Sequence, residues 1–107
     1  MKPVYGKIIK NKIDKLAVID LVEVEKNKYL VTRVSVPREH RGKGIGTKLL
    51  KEVTKDADKE CSTLLIEPKP YDSGMTKESL INYYKIFGFE YISEEDYMIR
   101  ISKCEKK

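Results

Sequence analysis

Three glycines and four arginine or lysine side chains crowd the segment REHRGKGIGTKLL, residues 38–50, where a β-branched run gives way to helical spacing. The first turn of a helix leaves its N–H groups unpaired and carries about half a positive charge, and glycines there let an anion reach the backbone. Gly42, Gly44 and Gly46 give that access, while Arg38, Arg41, Lys43 and Lys48 add positive charge. The Thr47 hydroxyl can donate one more hydrogen bond. Phosphate binding is the chemistry this pattern supports. A tight turn flanked by solvated basic residues would use the same residue types.

Spacing separates the phosphate motifs. A magnesium-nucleotide loop needs Gly-x-x-x-x-Gly-Lys-Ser/Thr; counted from Gly42, the second glycine falls on Thr47 and the hydroxyl position on Leu49. A dinucleotide fingerprint needs Gly-x-Gly-x-x-Gly, and from Gly42 and Gly44 its last glycine is again Thr47. Neither motif is present.

The elements around this turn read as follows. Val4 to Ile9 is a short strand, with a turn near Asn11 to Lys15. Leu16–Glu25 and Lys28–Val36 are β-branched runs split by Lys26-Asn27, a break of hairpin length. In the second run Leu30, Thr32, Val34 and Val36 share one face by strict alternation. After Pro37 the period changes: Ile45, Leu49, Leu50, Val53 and Ala57 predict an amphipathic helix starting near Gly44. Thr63–Glu67 is an apolar strand without alternation, read as buried on both faces and closed by Pro68 and Pro70. Thr76 is a candidate cap for a second helix with an apolar stripe of Leu80, Tyr84 and Phe87, ended by Gly88. Phe89–Ile92 and Tyr97–Ile101 read as two further strands, and Lys103–Lys107 as a frayed tail. The order β-β-β-α-β-α-β-β implies an α+β fold, a mixed and largely antiparallel sheet with helices on its faces.

Composition sets outer bounds. A chain of 107 residues, 40% hydrophobic and 36% charged, is expected to form one domain over residues 1–107. Its net charge of +5 favours anionic partners. A nucleic-acid reading lacks an aromatic-interleaved basic strand, and the basic residues are scattered among acids. The two cysteines, Cys61 and Cys104, and the single histidine, His40, form no metal-ligand or disulfide framework by spacing. Cys61 reads as a small buried or helix-end residue, and His40 as solvent-exposed or phosphate-adjacent. With no long apolar run and no leader pattern at Met1, neither a membrane partner nor a secretory signal is expected, and the expected location is cytoplasmic.

Arg41, Gly44 and Gly46, in the pattern Arg-x-x-Gly-x-Gly after a strand ending at Val36, resemble the acetyl-coenzyme A signature of the GNAT superfamily of N-acetyltransferases. Tyr83-Tyr-Lys-Ile-Phe-Gly-Phe89 resembles that family's second signature, a helix ending in Tyr-x-x-x-Gly-Phe. The short strand expected between them is Thr63–Glu67, so the similarity spans residues 16 to 101.

The resemblance implies a fold, a cofactor and a reaction. The pyrophosphate of acetyl-coenzyme A would lie on the backbone of Arg41, Gly42, Lys43, Gly44, Ile45, Gly46 and Thr47, and the pantetheine arm would pair with Val34, Ser35 and Val36. A neutral amine would attack the acetyl carbon directly in a ternary complex, with Tyr84 matching the family's general acid for the thiolate. Tyr84 also sits on the apolar stripe, where a tyrosine can serve as core. Glu67, or Glu23 on the strand beside the cofactor strand, could take the amine's proton through water. The implied acceptor is an amine on a small molecule, protein or peptide. The alternative on the same fold is a non-catalytic module binding coenzyme A or an anionic partner. Members often carry two helices between their first two strands, which this chain lacks; its acceptor site should be open or completed in a homodimer. Where the family often has Asn to contact pantetheine, this chain has Lys77, and Pro37 removes one backbone donor near the cofactor.

Overall fold

The computed structural model describes residues 1–9, 12–36, 44–69, 75–92 and 96–104. The elements are β1 (Val4–Ile9), β2 (Lys12–Glu25), β3 (Lys28–Ser35), α1 (Ile45–Glu60), β4 (Thr63–Ile66), α2 (Lys77–Lys85), β5 (Glu90–Tyr91) and β6 (Met98–Arg100). Their order is the one read from the sequence. β2 begins at Lys12, where a turn was expected, because pairing with β1 carries the ladder past the apolar run as far as Ile9↔Lys12.

The strands form one sheet in the order β1-β2-β3-β4-β6-β5, antiparallel except where β3 runs parallel to β4. A parallel neighbour requires a crossover, and α1 supplies it. The Lys26-Asn27 hairpin places Asn27 at φ 59°, a left-handed conformation that asparagine tolerates. Helix α1 ends at Cys61, φ 57°, whose N–H and neighbours satisfy the last carbonyls. Helix α2 starts where Thr76 Oγ1 accepts from the Ser79 N–H at 3.0 Å, and Gly88 turns the chain away at φ 95°.

Both helices lie on one face of the sheet. A single core joins Leu49, Leu50, Val53 and Ala57 of α1 and Leu80 and Tyr84 of α2 to Ile19, Leu21, Val31, Leu64 and Ile66. Strand β4 accordingly alternates: Leu64 and Ile66 are buried, whereas Thr63 and Leu65 are half-buried on the opposite face. Its apolar run had predicted burial on both sides. The strict alternation expected along β3 is also broken. Val31 pairs with Leu21 but Arg33 pairs with Asp20 and Val34 with Ile19, so one extra residue, Thr32, bulges out. Leu30 and Val34 therefore do not share a face.

The two cysteines, 43 residues apart in sequence, are joined as a disulfide with Cα atoms 5.1 Å apart. The sequence reading of separate cysteines and a frayed tail is corrected here as far as Cys104, since the Lys103 N–H also donates to Asp58 Oδ1 at 2.8 Å. That carboxylate accepts both ends of the Arg100 guanidinium, at 2.9 and 2.8 Å, and Arg100 Nε donates to the Phe87 carbonyl at 2.6 Å. Arg100, only 4% exposed, thus ties α1, the end of α2 and β6 together. Its guanidinium holds the Asp58 carboxyl below the usual carboxylate range, with the Lys103 N–H adding to the effect.

Candidate active site

Helix α1 opens at Gly44, φ 78°, and no side chain caps its first turn. No acidic residue occupies that turn, and Lys48 N–H donates to the Gly44 carbonyl at 3.0 Å, the first bond of the helix. The N–H groups of Ile45, Gly46 and Thr47 precede that bond and carry the positive end of the helix dipole. Among the described residues a Cβ at Gly44 would meet nothing within 4 Å, so none of them fills the space beside the turn. Gly46 is packed differently: a Cβ there would lie 3.5 Å from Val36 Cγ2 and 3.9 Å from the Tyr83 hydroxyl, ordinary contact distances. The turn fits an anion.

Strands β3 and β4 pair only from Lys28↔Thr63 to Val31↔Ile66 and then part at the Thr32 bulge. The gap between them is a cavity of about 200 Å³ lined by β3 from Leu30 to Val34, by Ile66, Glu67 and Lys69, and by Tyr84 and Tyr97. The β3 backbone beyond Val31 has β2 on one side and the cavity on the other. Tyr84 is 6% exposed and lines the cavity. Burial, with the neighbouring Tyr83, pushes its phenol up to about 12. Glu67 Oε1 lies 3.2 Å from Lys69 Nζ across the cavity wall. A larger surface depression, about 480 Å³, covers the end of α2 and touches neither Tyr84 nor the glycine turn.

The fold brings most of the sequence-predicted residues together. Tyr84, Glu67 and Val34 line the cavity; Ser35 and Val36 continue β3, and Gly44, Ile45, Gly46 and Thr47 open α1. Arg41, Gly42, Lys43, Pro37, Arg38 and His40 lie outside the described residues. Glu23 does not line the cavity; it lies opposite Tyr29, whose hydroxyl it engages and raises in pKa after burial has done so. Lys77 lies 3.7 Å from Asp96. Sequence reasoning assigns Tyr83 no role, because it is off the signature position. Its hydroxyl sits 2.9 Å from Thr47 Oγ1, with either atom able to donate, and locks the first turn of α1 to α2. Adjacent tyrosines on one helix point about 100° apart, which allows one to face the cavity and the other the neighbouring helix.

Known structures share this fold. The chain resembles anti-CRISPR protein AcrVA5, with a TM-score of 0.64 and 19% identity over 92% of this chain and 98% of that one. The Escherichia coli ribosomal-protein-S18-alanine N-acetyltransferase aligns at TM-score 0.64 and 17% identity, over 90% of this chain and 68% of its own. An aminoglycoside 6'-N-acetyltransferase complexed with coenzyme A aligns at 0.67 and 11%, over 97% and 74%. No curated protein matches by sequence. The family model for the acetyltransferase (GNAT) domain matches residues 6–91, the stretch that holds the split strands, the glycine turn and the tyrosine helix. With that match spanning most of its length, the chain belongs to the GNAT acetyltransferase family.

Proposed function

We propose that this protein transfers acetyl from acetyl-coenzyme A to a primary amine, both held in the β3–β4 cleft at once. Acetyl-coenzyme A supplies, when bound, an acetyl thioester open to attack. The uncapped turn at Gly44, Ile45, Gly46 and Thr47 fits its pyrophosphate, and the backbone of Val34, Ser35 and Val36 runs from that turn toward the cleft. Residues of the signature outside the described set, Arg41, Gly42 and Lys43, belong to the same binding role.

Each remaining residue has one task. Tyr84, protonated throughout the neutral range, donates a proton to the leaving thiolate from the cavity wall. Glu67, at the cavity wall, accepts the proton of the incoming ammonium through water, and Lys69 keeps the carboxylate oriented. A tyrosine buried to 6% exposure, lining the same cavity as a carboxylate, carries this reading. The acceptor is an amine of a small molecule or of a protein or peptide, the two kinds that the aminoglycoside and ribosomal-protein enzymes' names describe.

The test is release of free coenzyme A from acetyl-coenzyme A against a panel of primary amines and lysine peptides. Loss of the general acid in Tyr84→Phe should lower kcat about 100-fold or more while leaving acetyl-coenzyme A binding within a few-fold. Tight acetyl-coenzyme A binding without turnover across the panel would establish a binding module instead.

A further inference from the structure

Tyr83 reaches the half of the site that its neighbour Tyr84 does not. Tyr84 lines the cavity, whereas the Tyr83 hydroxyl meets Thr47 Oγ1 at 2.9 Å in the first turn of α1. The Tyr83 ring is held on two sides. Its centroid lies 5.2 Å from that of Phe87, one turn along α2 and edge-on at 75°, and 5.6 Å from that of Tyr84. Phenylalanine would make the same ring contacts, so packing alone gives the hydroxyl no task. That hydroxyl lies over the glycine turn itself, 3.9 Å from where a Cβ at Gly46 would stand. Tyr83 and Thr47 are both half-buried, which keeps the pair at the rim of the site and out of the sealed core.

We infer that Tyr83 is a positioning residue for the pyrophosphate of acetyl-coenzyme A, acting through the Thr47 hydroxyl. A hydroxyl has one proton to give and can accept at its lone pairs. When the Tyr83 O–H donates to Thr47 Oγ1, the Thr47 proton is left for a phosphate oxygen at the turn, beside the N–H groups of Ile45, Gly46 and Thr47. In the opposite sense Thr47 would spend its proton on Tyr83 and turn a lone pair toward the anion. Negative charge at the turn therefore selects the first sense, and the charge-assisted bond to phosphate strengthens the bond behind it. Two adjacent residues of α2 thus divide the cofactor between them: Tyr84 serves the thioester and Tyr83 the phosphate. The assignment rests on the acetyl-coenzyme A reading of the cleft and adds to it that phosphate recognition draws on α2 as well as on the glycine turn.

Tyr83→Phe keeps the ring and removes the hydroxyl. By calorimetry it should bind acetyl-coenzyme A about 3- to 10-fold more weakly than wild type, and Thr47→Val about tenfold or more weakly. Thr47→Ser, which keeps a hydroxyl, should stay within a few-fold of wild type. The double variant Tyr83→Phe/Thr47→Val should bind no more weakly than Thr47→Val alone, because Tyr83 acts only through that hydroxyl. Acetyl-pantetheine, which has the thioester arm without the pyrophosphate, separates positioning from packing. Its affinity, read by titration of amide NMR spectra, should be equal in Tyr83→Phe and wild type, whereas a displaced α2 would weaken both ligands alike. Unchanged acetyl-coenzyme A affinity in Tyr83→Phe, equal losses for the two ligands, or additive losses in the double variant would each overturn the assignment and leave the acetyl-transfer reading standing. Wild-type protein that binds no acetyl-coenzyme A would overturn both.

Discussion

At the scale of single residues, the cavity hydroxyl is the most exacting feature. Burial holds the Tyr84 phenol up to about 12, against about 10 in the unfolded chain. Between those values the unfolded chain gives up a proton that the native protein keeps, so Tyr84's contribution is fully present below pH 10 and is lost as pH rises through its folded value. Stability measured by denaturant titration should therefore decline above about pH 10, and less steeply in Tyr84→Phe. Tyr5 adds to the decline, since burial and its 2.7 Å hydrogen bond to Asp56 Oδ2 raise it in the same direction. The two glycines of the turn separate by the same kind of argument. Gly46→Ala should fold and retain acetyl-coenzyme A binding within a few-fold, since its new Cβ meets only ordinary contacts. Gly44→Glu places a side chain at φ 78° and a negative charge at a helix N-terminus, and should weaken that binding at least tenfold by calorimetry. Gly44→Asn, which tolerates the conformation, separates strain from charge.

At the scale of elements, the site depends on two ties that hold α2 in place. The Tyr83–Thr47 hydrogen bond fixes its face toward the start of α1, and Arg100 anchors its end through the Phe87 carbonyl. Asp58→Asn leaves the buried guanidinium without its counter-charge. The cost should be about 2–3 kcal/mol in chemical denaturation, below the loss for a fully enclosed pair because the Asp58 side chain is 32% exposed. The lowered Asp58 pKa fixes the pH sense: its contribution is present above the ordinary carboxylate value near 4 and fades as pH falls below it. Gly88→Ala disturbs the same junction twice, through a positive φ of 95° and a Cβ 3.3 Å from Arg100 Nε, and should lower the Tm measurably by differential scanning calorimetry.

At the scale of the whole molecule, the disulfide between Cys61 and Cys104 joins the end of α1 to the segment after β6. Closing a loop of 43 residues constrains the unfolded chain, and reduction should cost about 2–4 kcal/mol, read as a shift in the urea midpoint with and without reductant. Much of the molecule was legible in its residues. The order of elements followed from period changes, the glycine turn from φ-permissive residues before an amphipathic run, and Tyr84 as a candidate from the resemblance of its helix end to the family's Tyr-x-x-x-Gly-Phe signature. These are local properties, written in consecutive side chains. What required the tertiary structure was everything set by pairing between distant strands. The Thr32 bulge exists only in the register of β3 against β2; alternation within β3 alone put Leu30 and Val34 together. The same register opens the cleft and brings Glu67, not Glu23, beside Tyr84. The cysteine pair and the Arg100 anchor likewise arise from residues far apart in the chain, whose meeting is decided by sheet order. Sequence by itself determined which elements form and where an anion could enter; tertiary structure decided which faces and side chains meet, because side-chain direction in a sheet follows register and register follows long-range pairing.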